Sequence, residues 1–245
     1  MGPCFYNTFT KLPKVFKLTY YRFMQELGPH FSLDLFLKAR DYTIRAVHEV
    51  ASKVEIGMNE NDGHLLIDQT LEKLGSEKKW HPNKFRIGKN TIKSFREKSD
   101  LSITLQENDI FFIDIGPVFF GHEGDFGKTF CIGESDLFDN AIQSCEEVFQ
   151  KTRSHWIKEK SSGEELYNYA TRIASELGFE LNTSMNGHRI GDFPHAIHFK
   201  GKLGEINISP KENIWILEIL LKHPSNQYGA FFEDILYSDS SSVSK

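Results

Sequence analysis

Phe112-Ile113-Asp114-Ile115-Gly116-Pro117-Val118-Phe119-Phe120-Gly121-His122-Glu123-Gly124-Asp125 is the stretch on which the fold of this chain turns. The residues leading into it, Ile110-Phe111-Phe112-Ile113, read as a buried strand that starts after an Asn108-Asp109 turn. Asp114 closes that apolar run, where a carboxylate without a partner is costly. A turn around Gly121 would bring the chain back as a hairpin and set Asp125 beside Asp114. Two carboxylates forced together share a proton or bind a cation. Taken singly, each acid has a plainer explanation, one as a turn cap and the other as a surface residue.

Further along, Asn186-Gly187-His188-Arg189-Ile190-Gly191-Asp192-Phe193-Pro194-His195-Ala196-Ile197-His198 places three histidines close together among glycines that allow close backbone approach. Imidazole is the commonest neutral metal ligand and an acid/base at physiological pH, although a lone histidine is more often a hydrogen-bonded structural residue. Trp215-Ile216-Leu217-Glu218-Ile219-Leu220-Leu221 carries one acid inside a strand that looks buried, and Gly229-Ala230-Phe231-Phe232-Glu233-Asp234-Ile235-Leu236 repeats that arrangement. Asp114, Asp125, His188, Glu218 and Glu233 form an oxygen-rich donor set. Such a set suits two neighbouring divalent ions (Mn, Co, Fe or Zn) better than one structural zinc. Two such ions can clamp a water, lower its pKa and polarise a carbonyl.

Around these segments the pattern runs twice. Leu33, Phe36, Leu37, Ile44, Val47, Ala51 and Val54 recur at helical spacing, and a second helix starts at Asn59 as N-cap and ends at Gly75. Leu101, Ile103 and Leu105 alternate as a strand before the Ile110–Ile113 strand. In the second half, Leu137 to Phe149 and Leu166 to Leu177 are helical, the latter closed by Gly178. Strands follow at 195–199, 214–221 and 230–237. This order predicts an α+β architecture of two similar halves joined in one sheet, with helices outside, although no residue-level repeat is visible.

The ends differ from this body. Residues 1–31 interleave aromatics with Lys11, Lys14, Lys17 and Arg22 against Glu26, which puts this segment at +3 and the remaining chain at −8. Such an extension packs on its own domain or on a neighbouring subunit, compatible with a homodimer, and four bases make too thin a patch for a membrane surface. Residues 238–245 are expected to be disordered. The 32–237 body is read as one domain, since no Pro/Gly/Ser-rich linker divides it.

Composition narrows the classes. With 39% apolar and 26% charged residues the chain has material for a substantial core. A net charge of −5 argues against nucleic acid as the partner. Cys4, Cys131 and Cys145 are odd in number and lack CxxC spacing, so neither a disulfide framework nor a thiolate zinc site is indicated. No run approaches the roughly 18 to 20 apolar residues of a membrane span, and no signal-peptide core is present. A reducing, cytoplasmic setting is expected.

The order of the site residues resembles the pita-bread metallopeptidases, which include methionine aminopeptidase, aminopeptidase P and prolidase, with the non-metal enzyme creatinase sharing the fold. The marks are two Asp eleven residues apart, a His in an Asn-Gly-His-x-Ile-Gly context, a second His seven residues later, and two late Glu on strands. The resemblance spans residues 33–237. It implies a pita-bread fold, a curved and mainly antiparallel sheet with helices on its outer face. It also implies that Asp114 binds one ion, that His188 and Glu218 bind the other, and that Asp125 and Glu233 bridge them. His195 would contact the scissile amide, and Glu218 would transfer protons. The implied reaction is hydrolysis of an N-terminal peptide bond in a peptide substrate, with an Xaa-Pro preference favoured over methionine.

Three features depart from that family. A histidine upstream of the first Asp is missing, since Ser94-Phe95-Arg96-Glu97 holds none, and neither His81 nor His122 has a sequence feature that recommends it instead. Ile219 follows Glu218 where Pro is common. The 31 residues ahead of the first helix are too few for the large N-terminal domain of aminopeptidase P and prolidase. The missing histidine keeps two rival readings open, a pita-bread protein that binds peptide or a partner without turnover, and a metal-dependent hydrolase of a non-peptide C–N bond.

Overall fold

The computed structural model describes residues 23–191 and 199–238. Helix α1 (Leu33–Ala51) begins where the Ser32 side chain accepts the Leu35 N–H. Helix α2 (Glu60–Lys73) begins with a reciprocal box, in which Asn59 accepts from Asn61 and Asp62 while Asp62 accepts the Asn59 N–H at 2.9 Å. Ser135 caps α3 (Asp136–Glu159), and Ser162 with Glu165 forms a second box for α4 (Gly163–Glu176). Each cap satisfies amide donors that the first helical turn leaves unpaired. Gly75 and Gly178, at φ +78° and +85°, take the left-handed conformation that ends α2 and α4.

The strands are β1 (Lys78–Lys79), β2 (Lys84–Ile87), β3 (Asp109–Ile115), β4 (Pro117–Phe119), β5 (His122–Glu123), β6 (Phe126–Ile132), β7 (Glu180–Leu181), β8 (His188–Arg189), β9 (Trp215–Lys222) and β10 (Gly229–Ile235). The main sheet is antiparallel in the order β2-β3-β6-β10-β9-β7, with β8 also on β9. The halves meet where β6 pairs β10, with Glu233 opposite Gly127. A smaller sheet, β1-β4-β5, lies off this path. Two helices precede the strands of each half, and the whole is the expected pita-bread α+β fold.

Strand alternation sorts the side chains to two faces. Phe111, Ile113, Leu217, Ile219, Leu221, Ala230 and Phe232 turn to the helices and join the principal core with Ala39, Val47, Cys145, Val148 and Phe149. Phe85, Phe111 and Phe130 stack across β2, β3 and β6 at centroid distances of 5.4 and 5.6 Å. The opposite face carries Phe112, Leu220 and Phe231 in a separate cluster with Met185. In the same alternation it carries Asp114, Glu218 and Glu233. The period of two that builds the core therefore also delivers the acids to one surface.

Some sequence expectations shift. Leu101–Leu105 is no strand, and Leu101 is exposed. This segment instead ties the α1–α2 loop, through Gly57 N–H to Leu105 O and Leu105 N–H to Met58 O at 2.8 Å each, contacts too few for a ladder. Helix α1 stops at Ala51, short of Val54. The expected strand at 195–199 falls mostly outside the described residues, as do most of the 1–31 extension and nearly all of the 238–245 tail. The turn after Phe119 is a two-residue hairpin with Phe120 and Gly121 both at positive φ, +54° and +68°. Phe120 is held there by Tyr42 edge-on at 5.2 Å and Lys38 Nζ 4.4 Å above its ring.

Candidate metal centre

Asp114, the penultimate residue of β3, pairs in register with Gly127 of β6, which in turn faces Glu233 of β10. Gly127 is required by space: a Cβ there would lie 2.4 Å from the Phe231 ring and 2.9 Å from Glu233 Oε1. Its bare backbone lets the two carboxylates converge. Glu218 of β9 is directly opposite Glu233. Asp125, just ahead of β6, is returned by the hairpin to the same place. Asp114, Asp125 and Glu233 are 3%, 2% and 1% exposed, burial that charged groups tolerate only with compensation.

Two imidazoles face Asp125. His188 Nε2 is 3.2 Å from Asp125 Oδ2, while its Nδ1–H donates to Arg189 O at 2.9 Å. His81 Nε2 is 3.4 Å from Asp125 Oδ1 and 3.7 Å from Asp114 Oδ1, and its Nδ1–H donates to Pro82 O at 3.1 Å. Glu218 Oε2 accepts the Gly187 N–H at 2.7 Å. Asp114, His188, Glu218 and Glu233 line a cavity of about 520 Å³, whose walls include Trp80, His81, Phe95 and Arg96.

Electrostatics divides the acids. Burial lifts Asp114 to about 6, opposed by His81 and reinforced by Asp125. Burial, with Asp114, Asp125 and Glu218 around it, raises Glu233 well above the carboxylate range. Asp125 is buried too, but hydrogen bonds from His188 and His81 outweigh that and hold it below the range. Burial opposes charge on the imidazoles, yet Asp125 and its neighbours raise His81 to about 9 and His188 to about 10.

Divalent ions fit this donor set. Glu233 Oε1 is buried without a hydrogen-bond partner. Single ligand atoms of His81, Asp114 and Asp125 lie within 4.8 Å of one another, as do those of Asp125, His188 and Glu233. Asp125 is common to both groups. Four of the five residues singled out as ligands thus fall into these groups. Glu218 stands beside them on the cavity wall with one oxygen on Gly187 N–H, and His195 lies outside the described residues.

His81 was passed over in sequence, and the structure sets its ring beside Asp114 and Asp125. It sits thirty-three residues ahead of Asp114 in Trp80-His81-Pro82, with no periodicity or partner motif to mark it. Only the pairing of β1 with β4 brings it in. His122 has a structural role: its Nδ1–H donates to Phe120 O at 2.7 Å and its Nε2 accepts the Ser32 N–H at 2.9 Å, at the start of α1. The histidine-free segment Ser94–Arg96 does reach the cavity, and the Phe95 ring meets the His81 ring edge-on at 5.5 Å.

A sequence model of metallopeptidase family M24 matches residues 34–238, and the chain belongs to that family. Solved structures agree on the fold. The X-Pro aminopeptidase of Thermotoga maritima superposes with a TM-score of 0.71 at 19% identity, over 91% of this chain and 64% of that one. The prolidase of Pyrococcus horikoshii gives 0.69 at 17% identity, over 92% and 69%. The methionine aminopeptidase of Thermotoga maritima gives 0.69 at 16%, over 85% of this chain and 93% of that one. The chain therefore spans less than two thirds of the Thermotoga X-Pro aminopeptidase and nearly all of the methionine enzyme. No curated protein matches the sequence.

Proposed function

We propose that this protein is a metal-dependent aminopeptidase that hydrolyses the N-terminal bond of a peptide, with two divalent ions held by Asp114, Asp125, His188, Glu218 and Glu233. The observation that carries this is Asp125, whose two oxygens serve two separate ligand groups at the foot of one cavity. Ions bound there lower the pKa of a water and polarise the substrate carbonyl. Glu218 is the proton carrier of this scheme. It borders the cavity, and the Gly187 N–H holds one of its oxygens so that the other remains for exchange. Trp80 and Phe95 add aromatic walls to the cavity. His195 contacts the scissile amide in this reading. Manganese, cobalt, iron and zinc all suit the mixed nitrogen and oxygen donors.

The Asp-Ile-Gly and Glu-Asp-Ile-Leu wording around Asp114 and Glu233 favours an Xaa-Pro substrate over a methionyl one. Two free cysteines, Cys131 and Cys145, and the lack among the described residues of any helix long and apolar enough to cross a membrane accord with a cytoplasmic enzyme. The test is a panel of Xaa-Pro peptides, methionyl peptides and small amides assayed with added Mn²⁺ or Co²⁺. Release of the first residue ahead of proline is expected. Hydrolysis of amides alone would move the assignment to non-peptide C–N bonds, and peptide binding without turnover would move it to a binding protein.

A further inference from the structure

We propose that His81 is a sixth metal ligand, supplying the nitrogen donor for the ion that Asp114 and Asp125 hold. This rests on the two-metal reading above and extends it, because His81 is outside the five residues by which the chain resembles its family.

His81 and His188 are built alike. Each donates Nδ1–H to the carbonyl of the residue that follows it, Pro82 at 3.1 Å and Arg189 at 2.9 Å. A carbonyl only accepts, so Nδ1 carries the hydrogen, and Nε2, which faces Asp125 in the cation-free protein, is the atom that a cation would take up on loss of its proton. That orienting bond is the usual companion of a metal-bound imidazole. Each Nε2 then faces a different oxygen of Asp125, His81 the Oδ1 at 3.4 Å and His188 the Oδ2 at 3.2 Å.

The His81–Asp114 spacing fits coordination better than direct pairing. His81 Nε2 to Asp114 Oδ1, at 3.7 Å, is too long for a hydrogen bond. Donors about 2.1 Å from one ion stand roughly 3.0 to 3.4 Å apart, so small adjustments of His81, Asp114 and Asp125 would enclose a cation.

The backbone also commits His81 to this place. Lys78 and Lys79 pair with Val118 and Pro117, and Trp80 N–H donates to Gly116 O at 2.8 Å. Opposite the ring there is no side chain: a Cβ on residue 116 would lie 2.5 Å from His81 Nε2. Phe95, in the segment that lacks the upstream histidine, closes the other side of the ring at 5.5 Å.

The test uses the full chain loaded with Co²⁺. Proton NMR should show two exchangeable, hyperfine-shifted imidazole N–H signals in the wild type and one in H81N, with calorimetry showing at least about tenfold weaker binding of one of two ions. G116A should weaken the same ion by displacing the His81 ring, with every ligand residue still present in the chain. Two ions bound but a single imidazole signal in the wild type, or full metal affinity in a folded H81N, overturns the proposal and leaves the two-metal reading standing. Loss of turnover in H81N with unchanged metal content makes His81 a substrate contact and overturns it likewise. A wild-type protein that takes up no ion overturns both. The wild-type signal count decides the matter even where a variant does not fold.

Discussion

In the proposed two-metal centre, Asp125 is the side chain that both ions share. It is nearly inaccessible, faces two imidazoles, and belongs to both ligand groups. D125N keeps the volume of the side chain but loses one acceptor oxygen and the charge. It should bind less than one ion per chain by elemental analysis and lose at least about a hundredfold in kcat, an effect in the range of removing a group that acts directly on the reacting atoms. Its circular dichroism should stay close to that of the wild type. Full activity in D125N would remove the shared-carboxylate centre. At this scale the sequence was informative for acids and less so for histidines. Asp114, Glu218 and Glu233 each interrupt an apolar strand, and that misfit is visible in a linear chain. His81 interrupts nothing.

Among the elements, the helices were the most legible part. Asn59 caps where the sequence placed a cap, and Gly75 and Gly178 end helices at positive φ, while the caps Ser135 and Ser162 were added by the structure. These signals are local, so a window of a few residues contains the physics. Asn59 accepts two amide hydrogens at the start of α2. N59A should cost about 0.5 to 2 kcal/mol in urea denaturation, as the loss of an N-cap does, with metal content unchanged. A change below measurement error would mean that water replaces the cap at no cost. Short strands were harder to see. β1, β4 and β5 are two or three residues long, and their pairing depends on a hairpin and on a partner almost forty residues away. The alternation at Leu101–Leu105 misled because a period of two marks a strand only where a neighbour can pair along it.

For the molecule as a whole, the proposed centre would link metal, protons and stability. Each ion at a hundredfold excess over its Kd adds about 2.7 kcal/mol, so chelation should lower Tm by roughly 5 to 10 °C per ion in a domain of this size. The cation-free protein should also respond to pH with a definite sign. His81 and His188 titrate near 9 and 10 when folded, above the ordinary 6.5. The folded state then holds protons that the unfolded chain has released. Their contribution is complete below about 6.5 and is lost as pH rises through about 9 to 10. Thermal melts of chelated protein should fall across that window. Melts of metal-loaded protein should fall less, because ligation requires the neutral imidazole. A chelated protein whose Tm is flat or rising across the window would show that these histidines are not charged in the fold.

By itself the sequence determined the start of α2 at Asn59, the ends of α2 and α4 at Gly75 and Gly178, the strands around Asp114, Glu218 and Glu233 and the acids on them, because caps and periodicity act over a few residues and an acid in an apolar strand demands a partner. The order of those acids with the Asn-Gly-His segment was enough to suggest the family. Only the tertiary structure decided which groups meet. The register of β3, β6, β10 and β9 put Asp114, Gly127, Glu233 and Glu218 in one row. The β1–β4 pair carried His81 to the face of Asp125 that His188 leaves open. Such encounters depend on long-range pairing and on space left by Gly116 and Gly127, and neither has a signature in the linear chain.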